Sequence, residues 1–293
     1  MPRSAAAAAA LLAGALGGDA LASCGPAGDS RGCSWQEDHA ETALAAGPSL
    51  SLLQFHAGAK ASRGRGPEAE RASIKVIGAG APRTGTQSLA LALGSLGYKA
   101  AHSMRGNATL VGLWAAWTLA LHLGKEEEEV GRLLDLAIDG LLDNGYNATT
   151  ADSPIGYAYG RLLERFPDAK VVMTAHPGGP SAWVDSVGKS WYGLPCDPDG
   201  PFATACNTYK MYHDCDISYL DMPFMSDAKR EKCMSGYQRW LTRVRGTVPP
   251  KQLLEFNVSE GWGPLCTFLD LASPEGVAFP QKDYTQEVET AFK

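Results

Sequence analysis

The stretch IGAGAPRTGTQSL, Ile77 to Leu89, constrains this chain more than any other part of it. A short β-branched run, Ile74 to Ile77, leads into it, and apolar residues from Gln87 to Leu96 recur at helical spacing after it. Strand, glycine-rich turn and helix together form the opening unit of a parallel α/β sheet. The alternation continues. A strand is expected near position 100, helices over about Leu110 to Leu123 and Val130 to Gly145, and a strand over Tyr146 to Thr150. GYAYGRLLERF reads as helix, Ala169 to Ala175 as strand, Ser181 to Ser190 and Gly236 to Gly246 as helices, QLLEFNV as strand and GWGPLCTFLDL as helix. The fold class predicted is α/β: a three-layer, doubly wound parallel sheet with a P-loop-like turn and ligands at the C-terminal ends of its strands. The run Glu126 to Glu129 is the solvated first turn of a helix, where negative charge meets the positive dipole end, and carries no chemistry.

Three chemistries compete for the glycine-rich loop. A dinucleotide turn requires GxGxxG; Gly78 and Gly80 begin it, but Arg83 stands at the third glycine and no acid follows near position 100. A Walker A loop requires GxxxxGK[ST]; Gly80 and Gly85 have the spacing, but Thr86 replaces the lysine that reaches the β- and γ-phosphates. That argues against a nucleotide kinase or NTPase. A 5′-phosphosulfate loop fits better: the N–H groups of Thr84, Gly85, Thr86, Gln87 and Ser88 curl round an anion at a helix N-terminus, with Pro82 setting the turn. Thr86 and Gln87 add side-chain donors, and Arg83 neutralises charge on the leaving phosphate.

The rest of the chain bounds the setting. A formal charge of −6 and a pI near 5.5 do not suit a general nucleic-acid binder, whose phosphate contacts need a basic face. Residues 1–23 combine Arg3, an apolar run and Ala20-Leu21-Ala22, the pattern of a secretory signal peptide. Their apolar core falls short of the about 20 residues a membrane-spanning helix needs. Organelle targeting is the other reading of this leader. Residues 24–72, rich in Gly, Ala, Ser and Arg, read as a low-complexity linker, and residues 73–293 as the α/β domain. Three sequons, at Asn107, Asn147 and Asn257, agree with a lumenal location. Cys196, Cys206, Cys215 and Cys233 crowd into an insertion at about 194–233, as in a disulfide-stapled lid. Four cysteines allow three pairings, all open from sequence. No CxxC or HxxxH spacing supports zinc, so no metal is expected. Cys266, in PLCTFL, reads as a buried thiol. Trp183, Trp191, Trp240 and Trp262 read as core, with Trp191-Tyr192 beside the insertion also placed to shape an acceptor pocket, and His122 as packed on an apolar helical face.

IGAGAPRTGTQSL, YKAAHSM at Tyr98 to Met104, AKVVMTA with Trp183 and Ser186, and GWGPLCTFLDL with a following Phe-Pro together resemble the sulfotransferase-like P-loop family of fungi, algae and bacteria. The resemblance runs from about Ile74 to Pro280. It implies 3′-phosphoadenosine 5′-phosphosulfate (PAPS) as cofactor, and transfer of a sulfuryl group to a hydroxyl or amine of a small-molecule or carbohydrate acceptor. Well-studied sulfotransferases carry lysine where this chain has Arg83, which stabilises charge but gives up no proton at neutral pH.

Relatives also place an arginine after the AKVVMTA strand, and a serine about eight residues on, to hold the 3′-phosphate. Here His176 takes the arginine position, and Ser186 follows ten residues later across Pro177-Gly178-Gly179-Pro180. Either another arginine, such as Arg161 or Arg245, supplies the charge, or the cofactor preference has drifted. For the base, a His-x-Pro of the cytosolic enzymes corresponds to Asp152-Ser153-Pro154, so Asp152 is the first candidate and His102 the second. Asp152 has a structural alternative as a helix N-cap. A degenerate relative that binds an anion without catalysis is the rival reading of the whole chain, favoured by His176. The acceptor and the oligomeric state are not readable from the sequence.

Overall fold

The computed structural model describes residues 73–102, 107–151, 153–190, 208, 210–215 and 225–281. The leader, the linker, Asp152, Trp191, Cys196 and Cys206 lie outside the described residues.

Five strands, β1 (Val76–Gly78), β2 (Ala100–Ala101), β3 (Ala148–Thr149), β4 (Lys170–Thr174) and β5 (Leu253–Phe256), form one sheet in the order β2-β3-β1-β4-β5. Every neighbouring pair is parallel, with Ile77 opposite Val171 and Val172 opposite Leu254. Parallel pairing requires crossovers, and helices supply them. They are α1 (Thr86–Ser95), α2 (Ala108–His122), α3 (Glu127–Asp143), α4 (Tyr159–Arg165), α5 (Gly179–Gly188), α6 (Asp227–Thr247) and α7 (Trp262–Leu269).

Side-chain alternation along the strands divides the core in two. Ile77, Val171 and Met173 face one side, where they join Trp114 and Ile138 of α2 and α3, Trp183 of α5 and Trp240 of α6. Val76, Val172 and Phe256 face the other, with Leu89 and Leu93 of α1 and Leu265 of α7. Both strand faces are therefore buried, which is why β4 reads KVVMT without polar alternation. This is the three-layer α/β arrangement expected from the sequence. No helix among the described residues is long and apolar enough to cross a membrane.

Several expectations are revised. GYAYGRLLERF opens as a 3-10 turn at Ile155–Ala158, after a cis Ser153–Pro154 peptide, before α4 begins. Helix α6 starts at Asp227, so the end of the expected 194–233 insertion, Cys233 included, is helical. Ser226 caps it by accepting the Lys229 N–H, which places the boundary where no apolar periodicity marks it. Cys215 pairs with Cys233, one of the possible bridges, and Cys266 is a free buried thiol. His122 is exposed in the last turn of α2, not packed.

The sequon asparagines all serve the backbone. Asn107 caps α2, accepting the Leu110 N–H at 2.9 Å while donating to Asn144 Oδ1 at 2.8 Å. Asn147 accepts the Lys99 N–H at 2.8 Å. Asn257 forms a capping box with Glu260. Two of the three stand at helix starts and Asn147 stands just before β3, so each has a structural use for its side chain.

Candidate functional site

β1 ends at Gly78, and the loop Ala79–Gly85 carries the chain from the sheet into α1. Two indoles hold this loop from beneath. Trp240 Nε1 donates to the Ala79 carbonyl at 2.9 Å, and Trp183 Nε1 to the Pro82 carbonyl at 2.8 Å. Both rings are almost fully buried, so each bond is shielded from competing water. Thr84 ties the turn to β4: its hydroxyl donates to the Ala81 carbonyl at 2.6 Å, which leaves its oxygen to accept the Thr174 hydroxyl at 2.6 Å. Gly80 lies directly on Thr174, whose Oγ1 and main chain would collide with any Cβ placed there. Arg83 adopts a left-handed φ of 64° and Gly85 one of 89°. An L side chain in that region costs about 1–2 kcal/mol, so the loop spends strain on aiming Arg83.

Among the described residues, Gly85 is the N-cap of α1, its start has no side-chain cap, and no acidic residue sits in its first turn. A helix start of this kind presents N–H groups and the positive dipole end, the features that favour an anion. Pro82, Thr84, Thr86 and Ser88 are buried, whereas Arg83 and Gln87 are half-buried and face outward from the turn.

Helix α5 forms one wall. Trp183 and Ser186, three residues apart, share a face. While Trp183 supports the loop, Ser186 Oγ accepts from Arg83 Nε at 3.2 Å. His176, two residues past β4, completes this side. Its main-chain N–H donates to Tyr237 Oη at 2.9 Å, and its Nδ1 accepts the Gly178 N–H at 3.1 Å. The neutral ring therefore carries its proton on Nε2. Burial, and then the Arg83 guanidinium nearby, hold the His176 pKa below the usual histidine value. Arg83 thus stands next to both Ser186 and His176.

Arg161 and Arg245 do not join them. Arg161 is held by Asp135 at 2.7 Å and by Glu164 at 3.1 Å. Arg245 is held by Glu255 at 2.6 Å, and their pairing moves the carboxylate pKa down and the guanidinium pKa up. Arg83 is the arginine that stands beside His176.

The opposite wall comes from β2 and β3. Gly78 N–H donates to Thr149 Oγ1 at 3.2 Å, which fixes the end of β3 against the start of the loop. Beyond it, Thr150 Oγ1 lies 2.9 Å from His102 Nδ1 and donates to the Ala101 carbonyl at 3.2 Å. With its hydroxyl proton so committed, Thr150 accepts from His102 Nδ1–H, and Nε2 keeps its lone pair. A base needs that lone pair. Asp152 lies outside the described residues, and the 3-10 turn after it has Pro154 at its N-cap. The described residues hold no cluster of His, Cys, Asp and Glu fit for a metal ion.

Sequence reasoning gave Tyr237, Thr174 and the Thr84 hydroxyl no part in holding the loop, and it read Trp183 and Trp240 as core without their bonds to the loop carbonyls.

Comparison with known proteins bears on the family of the chain. The family model described as "Sulfotransferase domain" matches residues 75–288. The chain is also similar to Ava biosynthesis cluster protein M of Aspergillus versicolor, 28% identical over 220 residues, which is 69% of this chain and 78% of that protein.

Proposed function

This chain belongs to the sulfotransferase-domain family, and on that premise we propose that it is a PAPS-dependent sulfotransferase acting on a hydroxyl or amine of a small-molecule or carbohydrate acceptor. The observation that carries the reading is the loop that leads into α1, which has no side-chain cap among the described residues, with Arg83, two residues before the N-cap, bonded to Ser186. Amides, hydroxyls and one guanidinium make a donor set that fits a phosphosulfate without a metal ion.

In the reaction, the acceptor oxygen or nitrogen attacks sulfur in line as the bond from sulfur to the bridging phosphate oxygen breaks, releasing 3′-phosphoadenosine 5′-phosphate. The loop amides of Thr84 to Ser88 bind the phosphate end. Arg83 stabilises the charge that builds on the leaving oxygen and donates no proton. His176, through Nε2–H, and Ser186 take the 3′-phosphate. The acceptor's proton goes to Asp152 or to His102 Nε2, the ring nitrogen opposite the one that meets Thr150. The leader in the sequence and the Cys215–Cys233 bridge support a secretory-pathway location, secreted or Golgi-lumenal.

His176 in the arginine position favours a second reading, anion binding without transfer. One experiment separates them: calorimetric titration with 3′-phosphoadenosine 5′-phosphate, followed by transfer from labelled PAPS across phenols, sterols and carbohydrates. Binding with transfer supports the enzyme; binding without transfer to any acceptor class supports the second reading; no binding removes both.

A further inference from the structure

Helix α6 carries Cys233, Gly236, Tyr237 and Trp240 on one face, at the i, i+3, i+4, i+7 spacing of a single stripe. The first pair grips the 210–215 segment. Cys233 is bonded to Cys215, and one turn on, Gly236 lets the His213 main chain approach so closely that a Cβ there would collide with the His213 carbonyl. The second pair reaches the phosphate loop. Trp240 donates to the Ala79 carbonyl, and Tyr237 stacks on Trp183 at 4.5 Å while Trp183 donates to the Pro82 carbonyl.

His213 joins the two halves. Its side chain is fully buried, its Nε2 lies 3.0 Å from Tyr157 Oη, and its ring sits 5.2 Å from that of Trp183 and 5.8 Å from that of Trp240. It therefore packs against both indoles that hold the loop. A dense aromatic cluster transmits a displacement because it has no voids to absorb one. The bridge at Cys215 lies two residues from His213 and ties to α6 the segment whose ring backs both indoles.

We propose that the Cys215–Cys233 bridge and His213 are positioning residues for the phosphate loop, acting through Trp183 and Trp240 on the Ala79 and Pro82 carbonyls. The effect on nucleotide binding rests on the phosphosulfate reading above; the effect on the loop does not.

The test uses the full oxidised chain, the Cys215→Ser/Cys233→Ser variant, Trp240→Phe and their combination. Two readouts are taken: hydrogen exchange of residues 79–86 without ligand, and affinity for 3′-phosphoadenosine 5′-phosphate. The double serine variant is expected to exchange about tenfold faster at 79–86 and to bind about tenfold more weakly. Adding Trp240→Phe should change little further, since both act along one path. Unaltered exchange at 79–86, with faster exchange confined to 210–215, would overturn the proposal, as would fully additive effects. If the serine variant does not fold, His213→Leu, which leaves the bridge intact, carries the same expectation and the same overturning result. A wild type that binds no nucleotide yet shows the exchange coupling retains this proposal and defeats the phosphosulfate reading.

Discussion

Arg83 Nε donates to Ser186 Oγ at 3.2 Å, joining residues 103 positions apart in the chain. The bond links the loop that follows β1 with the helix that follows β4, the neighbouring strand, at the C-terminal edge of the sheet. It fixes a cation two residues before the N-cap of α1.

Arg83→Ala removes both the charge and the fork, and is expected to weaken 3′-phosphoadenosine 5′-phosphate binding about 30–100-fold, the loss of a charge-assisted bond of about 2–3 kcal/mol. Arg83→Lys retains the charge and should lose less, about tenfold. Ser186→Ala should cost about fivefold. Titration calorimetry at fixed salt checks the order; equal affinities across the series would contradict the placement of the anion.

His176 is held below the usual histidine pKa by burial and by Arg83, so its ring is neutral near pH 7.5. Bound phosphate favours the protonated ring, and nucleotide affinity should therefore tighten as the pH falls below the usual histidine range. In His176→Arg the charge is permanent. That variant should bind about 5–10-fold tighter at pH 7.5 and lose the pH-dependence due to this group. A wild-type profile that is flat, or that weakens on acidification, rejects the role.

Gly80→Ala sets a Cβ against Thr174 Oγ1 and main chain, where β4 cannot retreat without breaking its pairing with β1 and β5. The expected cost is about 1–3 kcal/mol, read from urea denaturation. Gly94, in α1 with nothing within 4 Å of a built Cβ, is the control: alanine there should be neutral or stabilising.

His213 is fully buried, and burial lowers its pKa to about 3. The folded protein resists protonating this ring, whereas the unfolded chain accepts the proton near pH 6.5. Between those limits the unfolded state binds more protons, so stability rises with pH. The contribution is complete above about pH 6.5 and is lost on acidification toward pH 3, with a slope of at most about 1.4 kcal/mol per pH unit. His213→Gln keeps a polar group for Tyr157 but does not titrate. The difference between the wild-type and variant denaturation curves from pH 4 to 7 isolates the ring from the Asp135 and Glu255 carboxylates, whose pKa values lie below normal. Parallel curves would show that His213 does not act in this way.

Much of the fold was legible in the sequence because its signals are local. β4 is a run of five residues buried on both faces but for Lys170, and α3 carries leucines at helical spacing behind a solvated glutamate turn. The glycine-rich loop announced itself for a similar reason: positive φ at Gly85 and close approach at Gly80 require glycine, whatever the distant surroundings. The meeting of Arg83 with Ser186 was not legible, because it depends on how α5 sits beside the loop. The N-terminus of α6 was less legible, since its first two turns are held by the Ser226 cap and the bridge at Cys233 rather than by an apolar stripe.

The sequence by itself determined the α/β alternation, the glycine-rich turn between β1 and α1 and the residue types on offer: Arg83, His102, His176 and Ser186. Tertiary structure alone decided that Arg161 and Arg245 are held by carboxylates, that Cys215 pairs with Cys233, and that Trp183 and Trp240 carry the loop on their indole N–H groups. The reason is physical. A backbone conformation is fixed by neighbours along the chain, whereas a hydrogen bond or an ion pair depends on which side chains packing brings within about 3 Å, and that is set by sheet order and helix placement.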